Sequence, residues 1–259
     1  KWQFNLELSF SFYQIWVLIG VLLEMTEFIT VLEIIGTIAF SVSGALIACG
    51  AGLDIFGVVF LGCITAIGGG MVRDILLGIH PPMIFLNHII FVIAVLSAIV
   101  VFIAAYINKE KFKIFKSKID CVNNYFDAVG LAAFSATGAE VGFIQGYSDN
   151  ALIIVIAGMI TGVGGGIMRD ILIDTTPYVF KKHIYALASV FGSLLYYFLR
   201  QFLDNISLAS ALAMLSVIII RILATKYCWS LPKVSISMSN ELNNKNINFN
   251  KQQDDEALL

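Results

Sequence analysis

"AIGGGMVRD" at residues 66–74 lies deep inside an apolar stretch, and nearly the same string returns as "GVGGGIMRD" at 162–170, 96 positions later. Three consecutive glycines cost a helix interior about 3 kcal/mol against alanine in water. An Arg-Asp pair is costly in hydrocarbon. The same double liability, carried twice, makes sense only in a setting that tolerates it or puts it to use.

That setting is a membrane. Of the 259 residues, 59% are hydrophobic and 13% charged, against about 25% charged in a soluble domain, and the mean hydropathy is +0.88. Such a chain lacks the polar surface of a soluble domain and reads as an all-α integral membrane protein. The net charge of −2 says little, because in a membrane protein the positions of the charges matter. Cys49, Cys63, Cys121 and Cys228 have no metal-like spacing, so we read them as free thiols acting as small apolar residues.

From Glu27 onward, apolar segments of about 20 residues alternate with short polar breaks, the length a helix needs to cross about 30 Å of hydrocarbon. Seven spans are expected, near 28–48, 54–77, 88–107, 124–143, 149–172, 184–203 and 206–226. Residues 1–24 form an N-terminal extension of uncertain status. It fits a weak signal-like segment, an interfacial helix, or upstream sequence before a true start at Met25, and the last is favoured. The Asn-rich stretch 227–259 reads as a disordered polar tail.

The spans repeat. "EIIGTIAFSVSGALIA" (33–48) lies over "DAVGLAAFSATGAEVG" (127–142), and "ITAIGGGMVRDIL" (64–76) over "ITGVGGGIMRDIL" (160–172), with nine of thirteen positions identical. "PMIFLNHI" (82–89) lies over "PYVFKKHI" (177–184). Three matched blocks in one order indicate internal duplication: a first three-helix repeat at 25–107, a Lys-rich linker at 108–122, a second repeat at 123–204, and a seventh helix at 205–226 without a partner. Three spans per repeat make the second copy enter from the opposite side, so the repeats are inverted. Lys109, Lys111, Lys113, Lys116 and Lys118, with Lys181, Lys182, Lys226 and Lys233, fall on one side. The positive-inside rule makes that side cytoplasmic, with the N-terminus outside and the C-terminus within.

Gly68, Gly69, Gly70 and Gly164, Gly165, Gly166 admit two readings. They permit a close helix crossing, or they break or kink two helices so that freed carbonyl oxygens line a hydrated pathway. Contiguity, mid-span position, presence in both halves and the charges that follow favour the pathway. Arg73 and Asp74, like Arg169 and Asp170, are adjacent and point about 100° apart on a helix. The expected solution is cross-pairing between the halves, Arg73 with Asp170 and Arg169 with Asp74; the alternative is that each arginine snorkels to lipid headgroups. Glu33 and Asp127 match across the repeats and are candidate pore-mouth acids, or acids set near helix N-termini against the macrodipole. His88 and His183 read as interfacial helix-start residues. Glu140 has no acidic counterpart at Leu46, and its place near an end of span four predicts solvent exposure. "GVGGG" lacks the Gly-Lys-Ser/Thr ending of a phosphate loop. No catalytic constellation or metal cluster is legible, so no enzyme activity, cofactor, metal or nucleic-acid partner is expected.

Two copies of Gly-Gly-Gly-x-x-Arg-Asp-Ile-Leu in inverted three-helix repeats, plus a seventh helix, resemble the prokaryotic TRIC (trimeric intracellular cation) channels, a family also catalogued as bacterial glycine transporters. The resemblance covers about residues 25–226. It implies a multi-pass protein of the bacterial inner membrane, a homotrimer in contact with membrane lipid, and one K⁺-permeable pore per protomer between glycine-kinked helices two and five. Animal members carry a lipid-binding lysine pattern that is absent here, where Met71 and Ile167 follow the glycines. The alternative function is a secondary transporter of glycine or another small amino acid.

Overall fold

The computed structural model describes residues 27–109, 112, 116–181, 184–203, 205–227 and 229. The extension 1–24, His183 and the tail, apart from Tyr227 and Trp229, lie outside the described residues. The chain is an all-helical membrane protein. Its described helices are α1 (Glu27–Gly50), α2 (Ile55–Leu76), α3 (Met83–Leu86), α4 (His88–Ile107), α5 (Lys116–Ile144), α6 (Ala151–Leu172), α7 (Tyr178–Lys181), α8 (Ala186–Phe202) and α9 (Ile206–Lys226).

Helix starts follow local chemistry. The side chains of Asp54, Asn150 and Asn205 accept the backbone N–H three residues on, at 2.8, 3.2 and 3.0 Å, and so cap α2, α6 and α9. After α2 the chain turns at Gly78 (φ +72°); at the equivalent place after α6, Asp174 takes a left-handed φ of +56°, a conformation that asparagine and aspartate tolerate better than most side chains.

Among the described residues, six helices are long and apolar enough to cross a membrane: α1, α2, α4, α6, α9 and the Cys121–Ile144 part of α5. The expected sixth span, 184–203, differs. Tyr185 stands before the helix with its ring buried in the bundle, which leaves α8 with 17 residues. At 1.5 Å per residue that is about 25 Å of helix, short of the hydrocarbon thickness.

The interior is built from small residues. Ala45, Ala94, Ala98, Ala132, Ala133 and Ala213 are buried to 1% exposure or less, which lets helices approach closely where lipid offers no hydrophobic drive to associate. Phe40 and Phe134, equivalent positions in the two repeated sequence blocks, meet with ring centroids 5.3 Å apart. Phe56, Leu96, Val100 and Phe198 are exposed on the outside, the arrangement hydrocarbon surroundings favour.

Candidate functional site

Both glycine triplets lie within unbroken helices, α2 and α6. A Cβ added to Gly69 would land on the carbonyl of Thr161, one added to Gly165 on the carbonyl of Thr65, and one added to Gly164 within 3.0 Å of the Gly69 Cα. The two helices therefore cross backbone against backbone. This corrects the expectation of broken helices with freed carbonyls. In a bilayer a break strands polar backbone groups, whereas a close crossing keeps every helical hydrogen bond. At the crossing Gly69 and Gly165 are buried. Of the six triplet glycines, Gly70 lines the large cavity beside Arg73.

The Arg-Asp pairs also differ from expectation. Arg73 Nε and Nη2 donate to Asp74 Oδ1 at 2.9 and 2.7 Å, and Arg169 Nε donates to Asp170 Oδ1 at 2.8 Å. Each arginine thus turns back to its own neighbour, and the cross-pairs Arg73–Asp170 and Arg169–Asp74 are not formed. The long arginine stem makes this geometry reachable, and the aspartates explain its use. Asp74 Oδ2 accepts the backbone N–H of Met83 at 2.8 Å, and Asp170 Oδ2 that of Tyr178 at 2.7 Å. Each carboxylate thereby pins the first residue of the short helix that follows, α3 or α7, and its arginine neutralises it. All four side chains are buried, so snorkelling to headgroups does not occur.

Beyond this shared core the two sites diverge. At the Arg169 site, Nη1 donates to Ser43 Oγ at 2.8 Å and to Asp127 Oδ1 at 3.0 Å. Ser43 in turn donates to Asn123 Oδ1 at 2.8 Å. Arg221, from α9, lies 3.8 Å from Asp127 Oδ2, donates to Asn124 Oδ1 at 3.2 Å, and stacks over the buried Tyr185 ring with its Cζ 4.7 Å from the centroid. Asp127 is thus no mouth acid: it is 3% exposed and committed to two guanidiniums. Burying it unpaired would be prohibitive.

At the Arg73 site the equivalent space is open. A cavity of about 880 Å³ is lined by Glu33, Thr37, Gly70, Arg73, Asp74 and His88 on one side, and by Phe134, Thr137, Glu140 and Thr161 on the other. Its lining includes the exposed Leu86, Ile89 and Ile144. The contrast holds residue by residue. Gly70 looks into the cavity, while a Cβ on its counterpart Gly166 would stand 3.1 Å from the Tyr185 hydroxyl. Glu33 lines the cavity where its counterpart Asp127 is bonded to Arg169, and Thr137 lines it where its counterpart Ser43 is held.

Glu140 corrects another expectation. It is 4% exposed, hydrogen-bonded by the Tyr196 hydroxyl, 3.4 Å from Arg200 Nε, and part of the cavity wall. Sequence reasoning missed it as a site residue, although the signal was present: an acid in one copy of the repeat where the other carries Leu46. Among the described residues no group of His, Cys, Asp and Glu is arranged to hold a metal ion.

Comparison with known proteins gives a consistent picture. A family profile described as glycine transporter matches residues 30–106 and again 124–201. The membrane protein YvgT of Bacillus subtilis is 34% identical over 209 residues, which cover 81% of this chain and 98% of that protein. The inner membrane protein YadS of Escherichia coli is 32% identical over 209 residues, covering 79% and 95%. Among solved structures, a prokaryotic TRIC channel is 37% identical with a TM-score of 0.67, over 78% of this chain and 98% of that one. The TRIC trimeric intracellular cation channel orthologue from Rhodobacter sphaeroides is 28% identical with a TM-score of 0.69, over 78% and 98%. With the fold, the duplicated Arg-Asp sites and both halves of the profile in agreement, the chain belongs to the family described as glycine transporter and shares the fold of the prokaryotic TRIC channels.

Proposed function

We propose that the protein is a cation channel of a bacterial inner membrane, permeable to K⁺, and assembled as a homotrimer with one pathway per protomer. The observation that carries this reading is the charge balance of the cavity wall. Glu33, Asp74 and Glu140 line that wall. Asp74 is paired with Arg73 and Glu140 faces Arg200, so Glu33 supplies the excess negative charge, and carboxylates in a low-dielectric cleft concentrate cations. The likeness to TRIC cation channels supports it.

In this reading α8 is the sixth of seven spans, despite its length, and the two halves are inverted repeats. The lysine-rich linker is cytoplasmic, so the N-terminus and the cavity face outward and the Arg169 site faces the cytoplasm. The pathway runs beside the α2–α6 crossing rather than through it, with Gly70 as the triplet residue at its wall. Glu33 guards its outer end, and the Tyr185–Arg221–Asp127 cluster closes its inner end.

A second reading, a carrier of glycine or another small amino acid, draws on one observation: a cavity open at one end and filled at the other is also what alternating access requires. Purified protein in liposomes separates the two, with K⁺ flux and labelled glycine uptake measured side by side. The channel reading expects conductive K⁺ flux without glycine counterflow. Saturable glycine counterflow with no K⁺ current overturns it.

A further inference from the structure

The cavity holds polar groups that the fold does not require. Thr65 and Thr161 donate their hydroxyls to the carbonyls one turn back, Leu61 and Ala157, each at 2.6 Å. This is the usual way a helix absorbs such a group at membrane depth. Thr37 and Thr137 do not. Both residues line the cavity, are 0% and 1% exposed, and have hydroxyl oxygens with no hydrogen-bond partner among the described residues. A buried hydroxyl without a partner is rare enough to need a reason.

Packing does not supply one. In the duplicated half, the position of Thr37 is taken by Leu131 and that of Glu140 by Leu46; Leu131 is fully buried. The counterpart of Thr137 is Ser43, whose hydroxyl is fully engaged by Arg169 and Asn123. Leucine serves the scaffold at two of these positions, so the oxygens at the open cavity serve something else.

Their spacing indicates what. Glu33 and Thr37 are four residues apart on α1, and Thr137 and Glu140 three apart on α5, so each acid and hydroxyl share one helix face. On both helices the hydroxyl lies nearer the middle of the span and the acid nearer its end. Entering this cavity, an ion would meet carboxylates first and neutral oxygens next, with Thr161 alongside. Hard oxygen donors of this kind replace part of a cation's water shell. Glu140 is already bonded by Tyr196 and faces Arg200, so the site lacks the free carboxylate charge a divalent ion demands.

We propose that Glu33, Thr37, Thr137 and Glu140 form a binding site for a single, partly dehydrated monovalent cation in the cavity, with the carboxylates on its outer side and the hydroxyls on its deeper side. The site deepens the channel reading and rests on it for its role in conduction, but binding itself can be measured apart from flux.

The test titrates full-length protein in detergent with KCl against choline chloride at constant ionic strength, following thermal unfolding. Wild type is expected to gain several degrees in K⁺ over choline. Thr37→Val/Thr137→Val, which keeps the shape and removes both oxygens, is expected to lose that gain. Thr37→Ser/Thr137→Ser, which restores the hydroxyls, is expected to regain it. In planar bilayers the Val pair is expected to lower single-channel K⁺ conductance at least threefold. The site is overturned if wild type shows no K⁺-specific stabilisation, or if the Val pair responds as wild type does. A K⁺-specific gain lost in the Val pair, in a protein that passes no cation in liposomes, keeps the site and removes the channel reading instead.

Discussion

A methyl group at Gly165 would land on the Thr65 carbonyl, whereas one at Gly70 would meet only Arg73 Nη2 at 3.6 Å. The two glycines occupy closely related places in nearly identical strings, yet their substitutions have opposite meanings. Gly165→Ala forces apart two helix backbones that no rotamer change can relieve, at a cost of about 1–3 kcal/mol or more. Gly70→Ala projects into the cavity wall. We expect Gly165→Ala to lower the unfolding temperature in detergent clearly and Gly70→Ala to leave it within a degree or two. Equal losses would mean that both triplets do the same structural job. Sequence alone could not separate these roles. It marked all six glycines correctly as unusual, but a close crossing and a broken helix use the same residue for different reasons. The distinction lies in what faces each Cα, a tertiary fact. Glu140 was obscured in a similar way, because an acid near a span end reads as solvated until Tyr196 and Arg200 are seen to meet it.

At the scale of elements, hydropathy placed the long helices to within a few residues, since a run of about 20 apolar residues suits a bilayer span and little else. It could not place α3 and α7. Four residues carry no periodic signal, and each of these helices begins where a distant carboxylate fixes its first N–H. The Arg-Asp pair is therefore a device for docking a loop, with the arginine there to make the carboxylate tolerable at depth. The two copies should differ in strength. Asp170 and Arg169 are each 1% exposed, with Arg169 tied further to Asp127 and Ser43, while Arg73 is 6% exposed beside the cavity. Removing one partner of a buried pair costs about 3–5 kcal/mol when the other charge has nowhere to go. We expect Asp170→Ala to reach that range and Asp74→Ala to cost less, because Arg73 borders the cavity while Arg169 is enclosed. Thermal and chemical unfolding of the two variants, side by side, decide the order. A greater loss at Asp74 would contradict the assignment of open and closed ends.

For the whole molecule, that asymmetry is the main consequence of the fold. Two duplicated sites share the Arg-Asp core, but one is completed by Tyr185 and Arg221 and the other is open. The Tyr185 hydroxyl stands over Gly166 where the cavity stands over Gly70. Arg221 comes from α9, which has no counterpart in the other half, so the closed end is stoppered by a helix outside the duplication. If the proposed pathway runs from cavity to cytoplasm, this stopper limits it twice. The ring fills the space, and the guanidinium repels the cations that Asp127 would otherwise attract. The two effects separate by substitution. Tyr185→Phe keeps the ring and should change K⁺ flux little, while Tyr185→Ala should raise it about tenfold. Arg221→Met, which preserves much of the volume and removes the charge, should raise flux and sharpen the preference for K⁺ over Cl⁻, since Asp127 then loses one of its two partners. Each variant is to be compared at equal amounts of folded, size-homogeneous protein in liposomes, because emptying a buried aromatic site costs about 3–5 kcal/mol of stability. If Tyr185→Ala and Arg221→Met both fold and both leave K⁺ flux unchanged, the closure lies elsewhere, and the difference between the two ends is a matter of packing alone.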